Sequence, residues 1–319
     1  MKVALDAMGG DNSPHEEVRG AILACQELGV EVILVGDPAR IDAELAGCPE
    51  ARSLPLEVVA ASERIAMDEH PAIAVKRKRQ ASIVVANELV RNGQAAAVVS
   101  AGNTGAAMAA SLLRLGRIGG IDRPSIAIPM PTSAGVSVIL DAGANADCSA
   151  ENLVQFDVMG AVYAERVLGL ANPRVGLLNI GEEPTKGNAL CQAAYPLLAA
   201  SGLNFIGNVE GKDVHRGAAE VIVCDGFVGN VVLKLSEGLA TELFAQIKET
   251  VAASVKGRIG GLLLRSSLRT LRKRMDYAEY GGAPLLGVNG VSIIAHGRSN
   301  ARAFRNAIRA AHKAAGEGL

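Results

Sequence analysis

Short, nearly unbroken apolar runs alternate with longer stretches of helical periodicity along most of this chain, and that pattern narrows the fold more than any other feature. The runs Lys2–Ala7, Glu31–Gly36, Ala96–Ser100, Ser125–Ile128, Val136–Asp141, Arg174–Ile180, Asn204–Asn208 and Val221–Asp225 read as strands. Several lack the alternation of a strand with one wet face. Strands buried on both faces look like this, as in a parallel sheet covered by helices. Between them, Ser13 and Glu16 fit an S-x-x-E capping box with Pro14 at the first helical position. Val18, Ile22, Cys25 and Leu28 follow at helical spacing. A second helix is expected to carry Leu153, Phe156, Gly160, Tyr163 and Val167 on one face and to stop near Gly169. The expected architecture is α/β, a parallel or mixed sheet wrapped by helices in two lobes.

The 319 residues are 49% hydrophobic, enough for a large core. No internal repeat or long linker divides them, so 1–319 is expected to act as one unit. A net charge of −1 provides no whole-molecule field for nucleic acid. Cys25, Cys48, Cys148, Cys191 and Cys224 are scattered without a CxxC pair, which suits a reducing compartment and a packing role. The N-terminus meets an acid at Asp6, too early for a signal peptide, and no apolar run reaches the roughly 20 residues of a membrane span. The expectation is a cytosolic protein. No HExxH or Cys/His spacing calls for a metal, and neither a Walker A loop nor GxGxxG calls for a nucleotide cofactor.

Chemistry is expected where strands end. DAMGGDNS, SAGNTG, DAGANADCS, NIGEEPTKGN, GNVEGKD and CDGFVGN all follow candidate strands, and ligands in open α/β sheets bind beyond the carboxyl ends of the strands. Any one such loop reads as ordinary turn chemistry; six of them on one edge read as a binding site. They nominate Gly9, Gly10, Asp11, Gly102, Asn103, Thr104, Asn145 and Gly229 for substrate contact, with Asn103 and Thr104 opening a helix whose N–H groups suit phosphate. Lys186 is placed just before, or within the first turn of, a helix, where the macrodipole disfavours a cation. A bound anion would compensate, and so would Glu182 or Glu183. Asn230 is expected to cap a helix starting at Val231, a role competing with donation to a developing oxyanion.

Together these loops resemble the phosphate acyltransferase (PlsX) family of bacterial phospholipid synthesis. The matching stretches are DAMGGDNSP (6–14), MDEHPAIAVKRKRQAS (67–82), VVSAGNTGA (98–106), LDAGANADC (140–148), NLVQFDVMG (152–160), PRVGLLNIGEEPTKGN (173–188), NFIGNVEGKD (204–213), VCDGFVGNVVLK (223–234) and AHGRSNARAF (295–304). They span the chain in order. The resemblance implies acyl transfer from acyl carrier protein to inorganic phosphate, with no cofactor. It also implies a fold similar to phosphate acetyltransferases and isocitrate dehydrogenases, a homodimer and peripheral membrane association. By motif position it implies Lys186 and Asn230 as the catalytic pair; it leaves the role of His296 open.

The chemistry demands electrostatics more than acid–base work, since a thiol of pKa about 8.5 leaves readily and phosphate is already anionic. On that scheme phosphate attacks the thioester directly. Lys186 would neutralise phosphate or oxyanion, Asn230 would donate to the oxyanion, and the Asn103–Thr104 loop would hold phosphate. An acyl-CoA donor and a non-catalytic membrane scaffold are the alternatives. Residues 251–275 carry Lys256, Arg258, Arg265, Arg269, Arg272, Lys273 and Arg274 with no acid, and Leu264, Leu268, Leu271 and Met275 form a stripe on a helical projection. Such a segment suits an anionic membrane surface or packs its stripe on the body. The Lys76–Arg79 run is left unassigned.

Overall fold

This computed structural model describes residues 1–275 and 277–319, with the side chains of 272–278 set aside. In chain order the strands are β1 (Lys2–Asp6), β2 (Glu31–Gly36), β3 (Leu56–Ala60), β4 (Ala97–Ser100), β5 (Ser125–Ile126), β6 (Ile128–Thr132), β7 (Gly135–Leu140), β8 (Val175–Asn179), β9 (Phe205–Glu210), β10 (Val221–Val223), β11 (Ala283–Leu286) and β12 (Val291–Ile294). The α-helices are α1 (His15–Leu28), α2 (Pro38–Ala46), α3 (Pro71–Arg77), α4 (Ser82–Arg91), α5 (Thr104–Arg114), α6 (Ala150–Arg166), α7 (Ala189–Ala199), α8 (Gly226–Ala252), α9 (Val255–Met275) and α10 (Ala301–Gly316).

The strands form two mixed sheets flanked by helices. The first has the order β3-β2-β1-β4-β12-β11-β5 and the second β6-β7-β10-β8-β9. β3, β2, β1, β4 and β12 run parallel, and β11 and β5 close that sheet antiparallel. In the second sheet only β6 runs antiparallel. The chain leaves the first sheet at β5, enters the second one residue later at β6, and returns through α8 and α9 to β11 and β12. β4, β8 and β10 are buried along their whole length, as their unbroken apolar runs require. One apolar cluster joins the sheets, with Val3, Leu5 and Val99 from the first, Leu140, Leu177 and Val223 from the second, and Phe156 and Phe304 from helices.

Four strands are absent from the sequence reading, each for a physical reason. β6 contains Pro129 and Pro131, which argue against a strand; it lies at a sheet edge, where proline is tolerated. β3 is also an edge and half-exposed, and β11 and β12 are only four residues long. The capping box at Ser13 is a correction. α1 starts at His15 without a side-chain cap. Ser13 Oγ donates instead to the Met8 carbonyl, and Glu16 Oε2 accepts from Ala301 N, satisfying the first turn of α10.

α1 and α10 pack against each other across Gly20. A Cβ there would lie 2.4 Å from Phe304 Cβ and 2.9 Å from the Ala301 carbonyl, and Phe304 is fully buried. Gly20→Ala is therefore expected to destabilise the protein by about 1–3 kcal/mol through overpacking, despite alanine's better helix propensity. Urea denaturation checks it; an unchanged midpoint would contradict this packing.

Candidate active site

Between the carboxyl ends of the two sheets lies a cleft of about 510 Å³. The first sheet contributes Asp11 after β1, Gly102 and Thr104 after β4, and His296 and Gly297 after β12. The second contributes Ala142 and Gly143 after β7. α8 closes one wall with Asn230, Leu233, Lys234 and Glu237, while Ile126, Ile128, Pro129, Ala283 and Ile294 add an apolar wall. The first-sheet order reverses direction between β1 and β4, so the cleft sits at a topological switch point, where open α/β sheets bind ligands.

Backbone packing builds the first-sheet side. A Cβ on Gly9 would lie 2.7 Å from Gly102 N, so only glycine lets these two loops touch. Beneath them Asp6 Oδ2 accepts from Ser100 Oγ at 2.7 Å, and Ser100 Oγ accepts from Gly102 N. Gly10 N donates to Glu17 Oε1 at 2.9 Å, and Asp11 N donates to the Gly297 carbonyl. Glu17 is fully buried and its Oε2 has no partner; burial pushes its carboxyl up to about 8. Asn103 caps α5, with Oδ1 accepting from Ala106 N while Nδ2 donates to the Met67 carbonyl. Thr104 lines the cleft at the start of that helix. First-turn N–H groups there lack helical acceptors and favour an anion.

Asp141 organises the second-sheet side. Its carboxylate accepts from Ile126 N, Ala144 N, Asn145 N and Asn145 Nδ2 at 2.6–3.1 Å. The second Nδ2 hydrogen of Asn145 goes to the Pro124 carbonyl, so this amide holds the loop and has no donor left for substrate. Asn230 is another correction. α8 begins at Gly226, capped by Asp225 accepting from Val228 N. Asn230 thus sits in the second turn, against Gly143 and facing the cleft. Capping no longer competes for its amide. Gly229 is there for space: a Cβ would lie 1.9 Å from the Asp141 carbonyl.

The structure therefore gathers Asp11, Gly102, Thr104 and Asn230 around one cleft, with Gly9, Gly10, Asn103, Asn145 and Gly229 behind its walls as supports. Lys186 is elsewhere. It is exposed on the loop before α7, three residues ahead of that helix, whose cap is Asn188. Its backbone bonds to Glu183 and Asn179, it makes no ion pair with Glu182 or Glu183, and it does not line the cleft. Lys234, one turn beyond Asn230, is the lysine that does. It makes no side-chain hydrogen bond or ion pair among the described residues, and the sequence reading did not single it out. The carboxylate cluster Glu182, Glu210 and Asp213 also lies off the cleft, with Lys212 against Glu210.

α8 and α9 leave apolar side chains uncovered. On α8 these are Val231, Leu235, Leu239 and Leu243; on α9 Leu262, Leu263 and Leu264 are 69%, 77% and 56% exposed, and Leu271 is exposed too. Leu268 is half-buried. Met275 of the expected stripe, and the basic residues Arg272, Lys273 and Arg274 of the same segment, have side chains outside the described residues. No helix of the described residues is long and apolar enough to cross a membrane.

In architecture this is a protein of the phosphotransacetylase fold. It is similar to a phosphotransacetylase from Streptococcus pyogenes (TM-score 0.68, 17% identity, 100% of this chain and 94% of that one). A branched-chain phosphotransacylase from Enterococcus faecalis is also similar (TM-score 0.60, 14% identity, 99% of each). Sequence is more specific. A family model described as "Fatty acid synthesis protein" matches residues 1–319. The phosphate acyltransferase of Heliobacterium modesticaldum is 57% identical over 98% of this chain and 93% of that protein. That of Desulforamulus reducens is 55% identical over 100% and 95%. The chain belongs to this family of phosphate acyltransferases.

The buried Glu17 generates a pH dependence. Its folded value of about 8 lies above the ordinary 4.5, so the folded state holds a proton that the unfolded state releases. That stability is fully present below the ordinary value and is lost as pH rises through about 8. Glu17→Gln keeps an acceptor for Gly10 N–H and removes the ionisation. Asp157, raised to about 7 by burial, contributes in the same direction in both proteins. The unfolding free energy is expected to fall less between about pH 5 and about pH 8 in the variant than in the wild type. Parallel curves would place Glu17's proton outside the folding equilibrium.

Proposed function

We propose that this chain transfers a fatty acyl group from the thioester of acyl carrier protein to inorganic phosphate, in the cleft between the two sheets. A phosphate oxygen bonds to the carbonyl carbon, the carbon–sulfur bond breaks, and the products are acyl phosphate and the carrier thiol. The observation that carries this reading is the shared face of α8, where Asn230 and Lys234 look across the cleft to Thr104 and the start of α5. An amide donor, a cation and helix N–H groups surround one space, and the space has an apolar wall.

The positive elements that suit an anionic acceptor are Lys234 and the N-terminus of α5. Lys234 is the only Lys or Arg among the described cleft-lining residues and stands against two carboxylates, Asp11 and Glu237, so the acceptor's charge depends on this one ammonium and those N–H groups. Asn230 suits the oxyanion that forms as the carbonyl becomes tetrahedral, and a preorganised donor of this kind is worth about 3–4 kcal/mol in acyl transfer. Lys234 suits the attacking phosphate. The apolar wall of Ile126, Ile128, Leu233 and Ile294 suits the acyl chain.

Asn230→Ala is expected to lower kcat about 10²–10³-fold. Lys234→Met is expected to lower kcat/KM for phosphate about 10–100-fold, the worth of a hydrogen bond to a charged group. Steady-state assay with acyl carrier protein thioester and phosphate reads both, and full activity in Asn230→Ala would sink the reading. Lys186→Ala belongs in the same series. A loss there matching Lys234→Met would mean that Lys186 reaches the phosphate by a route the single chain does not provide.

We also propose that the protein works as a cytoplasmic homodimer at the inner face of the membrane. The four-residue spacing of Val231, Leu235, Leu239 and Leu243 makes an uncovered apolar row suited to a second copy. On α9, exposed leucines beside Arg258, Arg265 and Arg269 suit an anionic bilayer. Flotation with vesicles containing anionic lipid is expected to show binding that Leu263→Glu with Leu264→Glu abolishes. Binding unchanged by that double substitution would exclude α9 as the contact.

A further inference from the structure

A second groove, of about 420 Å³, opens beside the cleft. Glu237, Gly282, Ala295 and His296 line both, so a ligand can pass from one to the other along a continuous surface. Its outer end is formed by α8, the segment before β11, and the loop from β12 into α10.

A thioester carbonyl under attack has two substituents to accommodate. The acyl chain finds the apolar wall of the cleft. The sulfur leads in another direction, into a long thiol arm, and donors of this class carry a phosphate at the far end of that arm. The second groove is the polar way out of the cleft, and its charges are unequal in availability. Arg302 is paired with Glu279 at 3.0 Å. Asn300 is occupied as the cap of α10, accepting from Ala303 N. Glu237 lies at the boundary shared with the cleft. Arg298 is exposed and uses only its backbone N–H, which donates to His296 Nδ1 at 3.2 Å. Its guanidinium has no partner among the described residues. A planar fork with free donors matches a phosphate better than an ammonium would.

We infer that this groove binds the phosphate-bearing thiol arm of the acyl donor, with the Arg298 guanidinium contacting the arm's phosphate. The inference rests on the acyl-transfer reading above and adds a donor subsite to it. The arm's phosphate could belong to a carrier protein or to coenzyme A, and the test separates the two.

Three donors with the same acyl group are compared: the carrier protein thioester, the coenzyme A thioester, and the N-acetylcysteamine thioester, which lacks the phosphate. Arg298→Ala is expected to raise KM about 10–100-fold for the phosphate-bearing donor or donors the wild type uses. It is expected to leave kcat/KM for the N-acetylcysteamine thioester unchanged, with Arg298→Lys intermediate. An equal loss on all three donors would overturn the subsite, because Arg298 would then serve the reaction or the fold. A loss with the carrier protein alone, where coenzyme A is also a wild-type substrate, would overturn it too, since the side chain would be reading the carrier's surface. Wild type that turns over none of the three would sink the acyl-transfer reading itself. Thermal melts of both variants confirm that the comparison is made on folded protein.

Discussion

One buried carboxylate fixes how the two sheets meet. Asp141 directly follows β7 of the second sheet, yet its Oδ1 accepts from Ile126 N of β5 in the first. Its Oδ2 accepts twice from Asn145, whose amide reaches back to Pro124 just before β5. Burial pushes the Asp141 carboxyl up, and its four N–H partners oppose that shift by stabilising the charge. Buried polar groups earn no stability unless they are paired, and here a strand N–H, two loop N–H groups and one side-chain amide share the carboxylate. The carbonyl of the same residue faces Gly229, so the start of α8 is seated on this junction as well.

The cleft inherits its geometry from that junction. α8 starts at the end of β10, capped by Asp225, and its second turn brings Asn230 beside Gly143, two residues past Asp141. Lys234 follows on the same face. On the opposite wall the supports are close approaches of glycine backbone, Gly9 to the backbone of Gly102 and Gly10 to the Glu17 carboxyl, that leave no room for a Cβ. Glycines at these places do not mark contact with substrate so much as the close approach of two loops that shape its site.

Local signals were legible in the sequence where local physics decides. Seven of the eight strands read from apolar runs exist as single strands, because a strand buried on both faces has to be apolar on both; the run Ser125–Ile128 divides at Ala127 between β5 of the first sheet and β6 of the second. Of the six glycine loops that follow them, those after β1, β4, β7 and β10 reach the cleft, and those after β8 and β9 do not. Asn230 was misread because CDGFVGN offers two N-caps, and the contact between Gly229 and the Asp141 carbonyl selects the earlier one. Lys186 illustrates a different limit. Its loop follows β8, and β10 inserts between β8 and β7 in the sheet. Strand order is a long-range property, so equal-looking glycine loops gave no sign that this one stands a strand further from the cleft. Lys234 was hidden for the converse reason. A lysine on a helix is unremarkable until the opposite wall is known.

α8 has more faces than a single chain can satisfy. Asn230, Leu233, Lys234 and Glu237 line the cleft; Val228, Val232 and Leu233 pack on the apolar core. Ser236 ties the helix to the second sheet: His215 Nδ1–H donates to the Pro131 carbonyl, so in the neutral ring Nε2 accepts from Ser236 Oγ at 3.0 Å. Val231, Leu235, Leu239 and Leu243 remain uncovered. A helix is close to rigid over a few turns, so the uncovered row and the cleft face cannot move independently. An apolar surface laid on that row would therefore bear on the same body that positions Asn230 and Lys234.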